Sequence, residues 1–170
     1  MFEWLRHNIA DAIVTVDSKT LRYWKIDHAK SQPNLNDSVI FGKTANVRTG
    51  RGDPHSDNRF IGATNDAVLV WDWRDPSDGV LKVSSAHPTV MRDLDVNPNK
   101  PHQIVTAGKS TIRMSAMDCL NRELGEDASM RFWDLRRPDA PVLIMYGHAH
   151  WIWQVEYNHV RYLLFGAKSC

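Results

Sequence analysis

Ala107-Gly108-Lys109-Ser110-Thr111 carries the lysine and hydroxyls that close a phosphate-binding loop. Such a loop also needs a glycine at position 103, so that backbone N–H groups can cradle the phosphates, and that residue is Gln103. Phe41-Gly42-Lys43-Thr44 fails in the same way, because position 37 is Asp37. His148, His150 and His159 could offer imidazole to a metal. Their spacing is not that of a helical zinc motif, and no cysteine or carboxylate pattern joins them. They read as histidines of turns and repeat starts. Arg51-Gly52-Asp53 spells an integrin tripeptide and reads as a turn. No nucleophile, base and orienting group recur together, and no paired carboxylates do. The sequence therefore points away from an enzyme, with no cofactor, no metal and no small-molecule substrate expected.

One constellation has a structural chemistry. His87, Thr106, Asp127 and Trp133 can form a buried polar relay. The Asp accepts hydrogen bonds from the turn before the Trp strand, the His donates to the Asp, and the Thr hydroxyl links His to Trp. Such a network is useful when every member is satisfied. The elements that must hold it are strands. Short runs rich in Val, Ile and aromatics occur at 12–16, 20–24, 60–64, 68–71, 103–107, 130–133 and 142–145. Polar turns such as Asn65-Asp66 and Asn97-Pro98-Asn99 separate them, which predicts an all-β sandwich, barrel or propeller.

A repeat decides among these. TVDSKTLRYWKID at 15–27, ATNDAVLVWDWRD at 63–75 and LGEDASMRFWDLRR at 124–137 align on Trp24, Trp71 and Trp133. A second element, SAHPTVMRDLDVNP at 85–98 and YGHAHWIWQVEYNH at 146–159, precedes the strands. A repeat of about 40–45 residues that ends in Trp-Asp and opens on a Gly/Ala-His pair is the mark of WD40 propellers, which the chain resembles. The expected fold is a partial WD40-type β-propeller of about three four-stranded blades with the ring not closed. Its units are an incomplete blade at 1–27, blades at 28–75 and 76–137, and the start of another with an irregular tail at 138–170. Seven blades need about 300 residues, so two apolar end faces should lie uncovered, favouring oligomerisation, poor solubility or instability.

Trp24 and Trp71 are 47 residues apart, whereas Trp71 and Trp133 are 62 apart. Removing 108–124 restores a spacing of 45. That segment reads as an insertion with a short helix, since Ile112, Ala116, Cys119, Leu120 and Leu124 fall at helical spacing. It and the tail from Val160 can equally be read as retained introns, because Gly-Lys-Ser and Val-Arg are codable as splice-donor-like sequence.

AHPTVMRDLDVNPNK at 86–100, EDASMRFWDLRR at 126–137 and HAHWIWQVEYNH at 148–159 resemble the WD-repeat family that interacts with the EARP and GARP tethering complexes. DAIVTVDSKTLRYWKID and TNDAVLVWDWR fit it more loosely. The resemblance implies a seven-bladed adaptor of endosomal recycling and retrograde vesicle transport, with tethering-complex subunits as partners. It also implies a place at endosomes or the trans-Golgi network.

Trp-Asp-Trp-Arg at 71–74 and Trp-Asp-Leu-Arg at 133–136 are similar to the box by which some WD40 proteins dock on cullin–RING ubiquitin ligases. Arg74 and Arg136 are then partner-binding candidates and a ligase substrate receptor is the alternative function; many WD repeats end this way without a ligase. Trp151 and Trp153 flank Ile152 and should share a strand face. Core packing is the favoured reading for them, and an exposed aromatic anchor is the other. The net charge of +1 gives no reason to expect nucleic acid or an anionic membrane as partner. Cys119 and Cys170 make no disulfide framework, and no segment approaches the length of a membrane span. A cytoplasmic chain is expected, peripheral to membranes through its partners.

Overall fold

Runs of β-branched and aromatic residues closed by polar turns form strands here, and among the described residues there is no helix. The computed structural model describes residues 2–5, 12–16, 20–25, 38–41, 47–87, 90–109, 128–146, 148, 152–158 and 164–165. The first sheet is β1 (Phe2–Leu5), β2 (Ala12–Val16), β3 (Leu21–Lys25) and β4 (Ser38–Phe41), in that order. The second is β5 (Thr49–Gly52), β6 (Arg59–Ala63), β7 (Val68–Asp72) and β8 (Asp75–Val83). The third is β9 (Val90–Val96), β10 (Gln103–Lys109), β11 (Met130–Asp134) and β12 (Leu143–Met145). A pair, β13 (Glu156–Tyr157) and β14 (Leu164–Phe165), follows. All pairings are antiparallel between neighbours in sequence. The first strands adjoin one another in chain order, β1 to β5, β5 to β9 and β9 to β13. This is a partial, propeller-like arc that does not close.

Trp24, Trp71 and Trp133 lie on the third strand of their sheets. The sheets are offset from the units read at 1–27, 28–75 and 76–137. Each unit closes on its Trp strand, while each sheet takes its fourth strand from beyond it. The outer strands carry no Trp-Asp mark, so the repeat does not reveal where they belong. β10 runs to Lys109, two residues into the insertion expected at 108–124, with a bulge between Ala107 and Gly108. The expected insertion helix lies outside the described residues.

Both faces of the middle sheets are buried, and the period of two assigns alternate residues to alternate interfaces. Phe60 and Trp71 face the first sheet, where they meet Val14, Val16 and Leu21. Ile61 and Val70 face the third sheet, where they meet Leu94, Ile104 and Trp133. Val105, Ala107 and Met130 face the β13 side, under Ile152, Val155 and Tyr157. Aromatic pairs reinforce the first junction: Tyr23 and Trp73 lie 4.8 Å apart by centroid, and Phe60 lies 6.0 Å from both Trp71 and Trp73. In the second sheet Gly62 lies under the Trp71 ring. A Cβ there would come within 2.8 Å of Trp71 Cζ3 and 3.2 Å of Val47 Cγ1. Gly62→Ala should therefore lower stability by about 1–3 kcal/mol through overpacking, read as a shifted urea midpoint with unchanged slope.

Candidate interaction site

The relay is built from the strand register. Ile104 stands opposite Trp133 and Thr106 opposite Arg131, so the Thr106 hydroxyl lies on the same face as the indole, two residues along the strand. The Trp133 indole N–H donates to Thr106 Oγ1 at 3.0 Å, and His87 Nε2 is hydrogen-bonded to the same oxygen at 2.8 Å. All three residues are buried. Asp127 lies outside the described residues. The first sheet repeats part of the device: Ile13 faces Trp24, and the Trp24 indole donates to Thr15 Oγ1 at 2.9 Å. In the second sheet the equivalent of Thr15 and Thr106 is Gly62, because Phe60 faces Trp71. There the hydroxyl is replaced by ring-on-backbone packing.

A second polar system crosses the first strands. On β9, Asp93 accepts a hydrogen bond from Thr49 Oγ1 on β5 at 2.9 Å and another from the Val155 N–H at 3.0 Å. Asp95 accepts from the Tyr157 N–H at 2.6 Å. Arg51 of β5 lies 3.9 Å from Asp93 and 3.7 Å from Asp95. Burial raises the Asp95 carboxyl, against the Tyr157 and Val96 N–H groups and Arg51, which pull it down. Burial also pushes the Tyr157 phenol well above its ordinary range, with the Asp95 charge adding to it. Repeat reading missed this clasp because its members sit on different sheets. Arg51-Gly52-Asp53 is absorbed into it: Arg51 serves the clasp, and Asp53 Oδ1 accepts from the His55 N–H at 2.9 Å to form the turn.

The exposed counterpart lies where the first strands begin. Arg48 and Arg92 immediately precede the clasp residues Thr49 and Asp93, and Trp153 lies two residues before Val155. The Arg92 guanidinium stacks 4.8 Å from the centre of the Trp153 ring. Burial lowers the Arg92 pKa, and the neighbouring Arg48 charge lowers it further. Trp153 is 42% exposed while Ile152 is fully buried, so Trp153 is not packed in a core here. Ile152, Val155 and Tyr157 are the residues of this segment that enter the third core. Trp151 lies outside the described residues.

Arg74 and Arg136 share one geometry. Each Arg folds back on the Asp two residues earlier, with Nε at 2.9 Å, Nη2 at 2.6 Å and its backbone N–H at 3.0 Å from the carboxylate. Each guanidinium is thus engaged within its own turn. Arg136 also lines a cleft of about 500 Å³ with Asp53, Arg59, Asp72, Asp75 and His102. Charges of both signs surround that cleft, so it does not select by net charge. His102 holds a left-handed backbone there, with φ of 64°.

Among the described residues no three His, Cys, Asp or Glu side chains form a metal-binding group. His148 is described, while His150 and His159 lie outside. No helix of the described residues is long and apolar enough to cross a membrane.

No family model matches the chain. The chain is similar to EARP and GARP complex-interacting protein 1. With that protein of Macaca fascicularis it is 29% identical over 150 residues, 86% of this chain and 34% of the relative. With EARP-interacting protein 1 of Caenorhabditis elegans it is 30% identical over 120 residues, 68% of this chain and 28% of the relative. A more distant match is the ribosome biogenesis protein WDR12 homolog of Ixodes scapularis, 24% identical over 152 residues and 88% of this chain. The chain spans about a third of the length of the curated relatives it matches.

Thr106→Val should cost about 1–3 kcal/mol, because the indole and imidazole nitrogens lose their buried partner. Thr106→Ser, which keeps the oxygen, should lose less; equilibrium unfolding of the two variants separates hydrogen bonding from shape. A pH prediction follows from the Asp–Arg turns. The hydrogen bond from Arg74 holds the Asp72 carboxyl down to about 2, and Arg136 holds Asp134 well below the usual carboxylate range. A depressed carboxylate stabilises above its ordinary pKa of about 3.9, and that contribution is lost as pH falls through the folded value. Carbon NMR should show Asp72 titrating at about 2. Arg74→Ala should return it to the ordinary range.

Proposed function

We propose that this chain is a non-enzymatic protein-interaction scaffold that serves as an adaptor for EARP and GARP tethering complexes. The carrying observation is the similarity to proteins named for that interaction, which runs along 86% of the chain. The surface chemistry supports the reading. Arg92 stacked on an exposed Trp153, with Arg48 beside it, combines the residue types that dominate interface hot spots. The backbone beside this row is tied by the Asp93 and Asp95 clasp, so its side chains are presented on a fixed scaffold. The adaptor works at endosomal or trans-Golgi membranes through its partners.

Affinity purification of the tagged chain from cells tests this. Tethering-complex subunits should be recovered, and Trp153→Ala together with Arg92→Glu should lower recovery on the order of tenfold or more. Arg136→Ala should leave it unchanged. A preparation that folds, by circular dichroism, yet recovers no subunit of either complex overturns the proposal.

A further inference from the structure

The third sheet has two unlike edges. Its first strand, β9, is locked to β5 and β13 by carboxylates. Its last strand, β12, pairs with β11 alone among the described residues. Along and beside β12 run Val142, Leu143, Ile144, Met145 and Tyr146, without a charge. Val142 is 67% exposed, Leu143 51%, Met145 43% and Tyr146 69%. Proteins usually blunt such an edge with charge, proline or cover. The corresponding outer strand of the second sheet, β8, has Asp75, Pro76, Asp78 and Lys82 in its sequence. β12 has no such residue.

The register shows what this edge continues. Leu143 stands opposite Phe132, which stands opposite Val105; Met145 stands opposite Met130, which stands opposite Ala107. Opposed residues share a face. Leu143 and Met145 therefore extend the third core outward, past the part that Ile152, Val155 and Tyr157 cover. The apolar face continues to the edge of the sheet and ends in solvent.

We infer that β12 is a self-pairing edge, docking antiparallel on β12 of a second copy of this chain about a two-fold axis at Ile144. The backbone polarity fits this register. The Val142 N–H donates to Phe132 O, so the Phe132 carbonyl faces β12 and the facing pairs Phe132–Leu143 and Met130–Met145 are the hydrogen-bonded ones; by strand alternation the N–H and C=O groups of Ile144 point out of the edge. An Ile144-centred pairing sets Leu143 of each copy against Met145 of the other. Ile144 is the residue with outward groups, so the Ile144 pair on the axis exchanges both of its hydrogen bonds, while Leu143 and Met145 meet as non-hydrogen-bonded pairs whose side chains lie closer. Val142 falls opposite Tyr146 and Ile144 opposite itself, so every cross-strand pair is apolar and no like charges meet. The contact is isologous, closes at two copies and joins the third sheets into one continuous sheet. It leaves the Arg92–Trp153 row, on the opposite edge strand, accessible in each copy.

Light scattering and sedimentation of the full chain over a range of concentrations test the inference. Wild-type protein should show a monomer–dimer equilibrium. Leu143→Lys with Met145→Lys should weaken it at least tenfold, because lysine then faces lysine across the axis. Leu143→Glu with Met145→Glu should do the same. An equimolar mixture of the two should recover a heterodimer, which a merely misfolded pair could not do. Ile144→Pro should also abolish the dimer while keeping the β11 pairing, since only the outward N–H is lost. A wild-type chain that stays monomeric, a dimer indifferent to these changes, or charge variants that fail to recombine overturns the assignment. So does β12-dependent capture of another protein's strand by a monomeric chain.

Discussion

The junctions between sheets depend on two carboxylates. Antiparallel ladders hold each sheet together internally, but no ladder links the first strands of successive sheets. Val155 and Tyr157 turn their N–H groups toward β9, where no backbone carbonyl ladder exists to receive them. Asp93 and Asp95 take that role. A buried carboxylate is costly unless it is paired and hydrogen-bonded. Here Asp93 has the Thr49 hydroxyl, the Val155 N–H and the nearby Arg51 guanidinium. A hydrogen bond to a charged group is worth about 1.5–3 kcal/mol, and an orphaned buried N–H costs a comparable amount, so the system is favourable only as a whole. That is why β13, two residues long, has a fixed place at all.

Outside this polar hub the junctions are apolar and follow a single rule. Odd and even residues of a strand serve different interfaces, so a one-residue slip would put every core side chain on the wrong side. The tryptophans enforce the register. Trp24 and Trp133 are tied by their indole N–H groups to a threonine two residues from the facing position on the preceding strand. Trp71 is held by shape instead, with Gly62 leaving space that a side chain would fill. The same position is therefore solved once by backbone packing and twice by a hydroxyl. Both solutions fix the ring and its face.

Much of this was legible in the residues. Trp24, Trp71 and Trp133 marked the third strands because Trp-Asp closes each repeat. His87, Thr106 and Trp133 were readable as a relay because their types and order match a hydrogen-bonded chain. The outer strands were not placed, since β4, β8 and β12 share no mark and a period-two strand looks alike wherever it belongs. The clasp was not foreseen either. Asp93 and Asp95 alternate along β9 like solvent-facing charges, and their burial comes from β5 and β13, at 44 and 62 residues' distance. The exposure of Trp153 was left open for a related reason. Alternation separates Trp153 from Ile152 but does not say which of the two faces is covered.

The distribution of exposed apolar side chains follows from the same geometry. An apolar residue is sheltered where another sheet supplies the facing row, as Ile104 and Trp133 are by Ile61 and Val70. Beside the third sheet the described cover is a pair of strands near the hub, and it reaches Phe132 through the Tyr157 ring at 6.4 Å. Leu143 and Met145 lie one strand further out on that face and stay exposed. Trp153 is exposed for a different reason: its ring lies under Arg92 instead of in a core, so its apolar face is matched to a cation. Strand addition at β12 would satisfy apolar side chains and edge hydrogen bonds together. The Arg92–Trp153 pair suits a partner that brings polar contacts with a planar surface. The two edges of one sheet are thus chemically suited to different partners, and occupation of one leaves the other open.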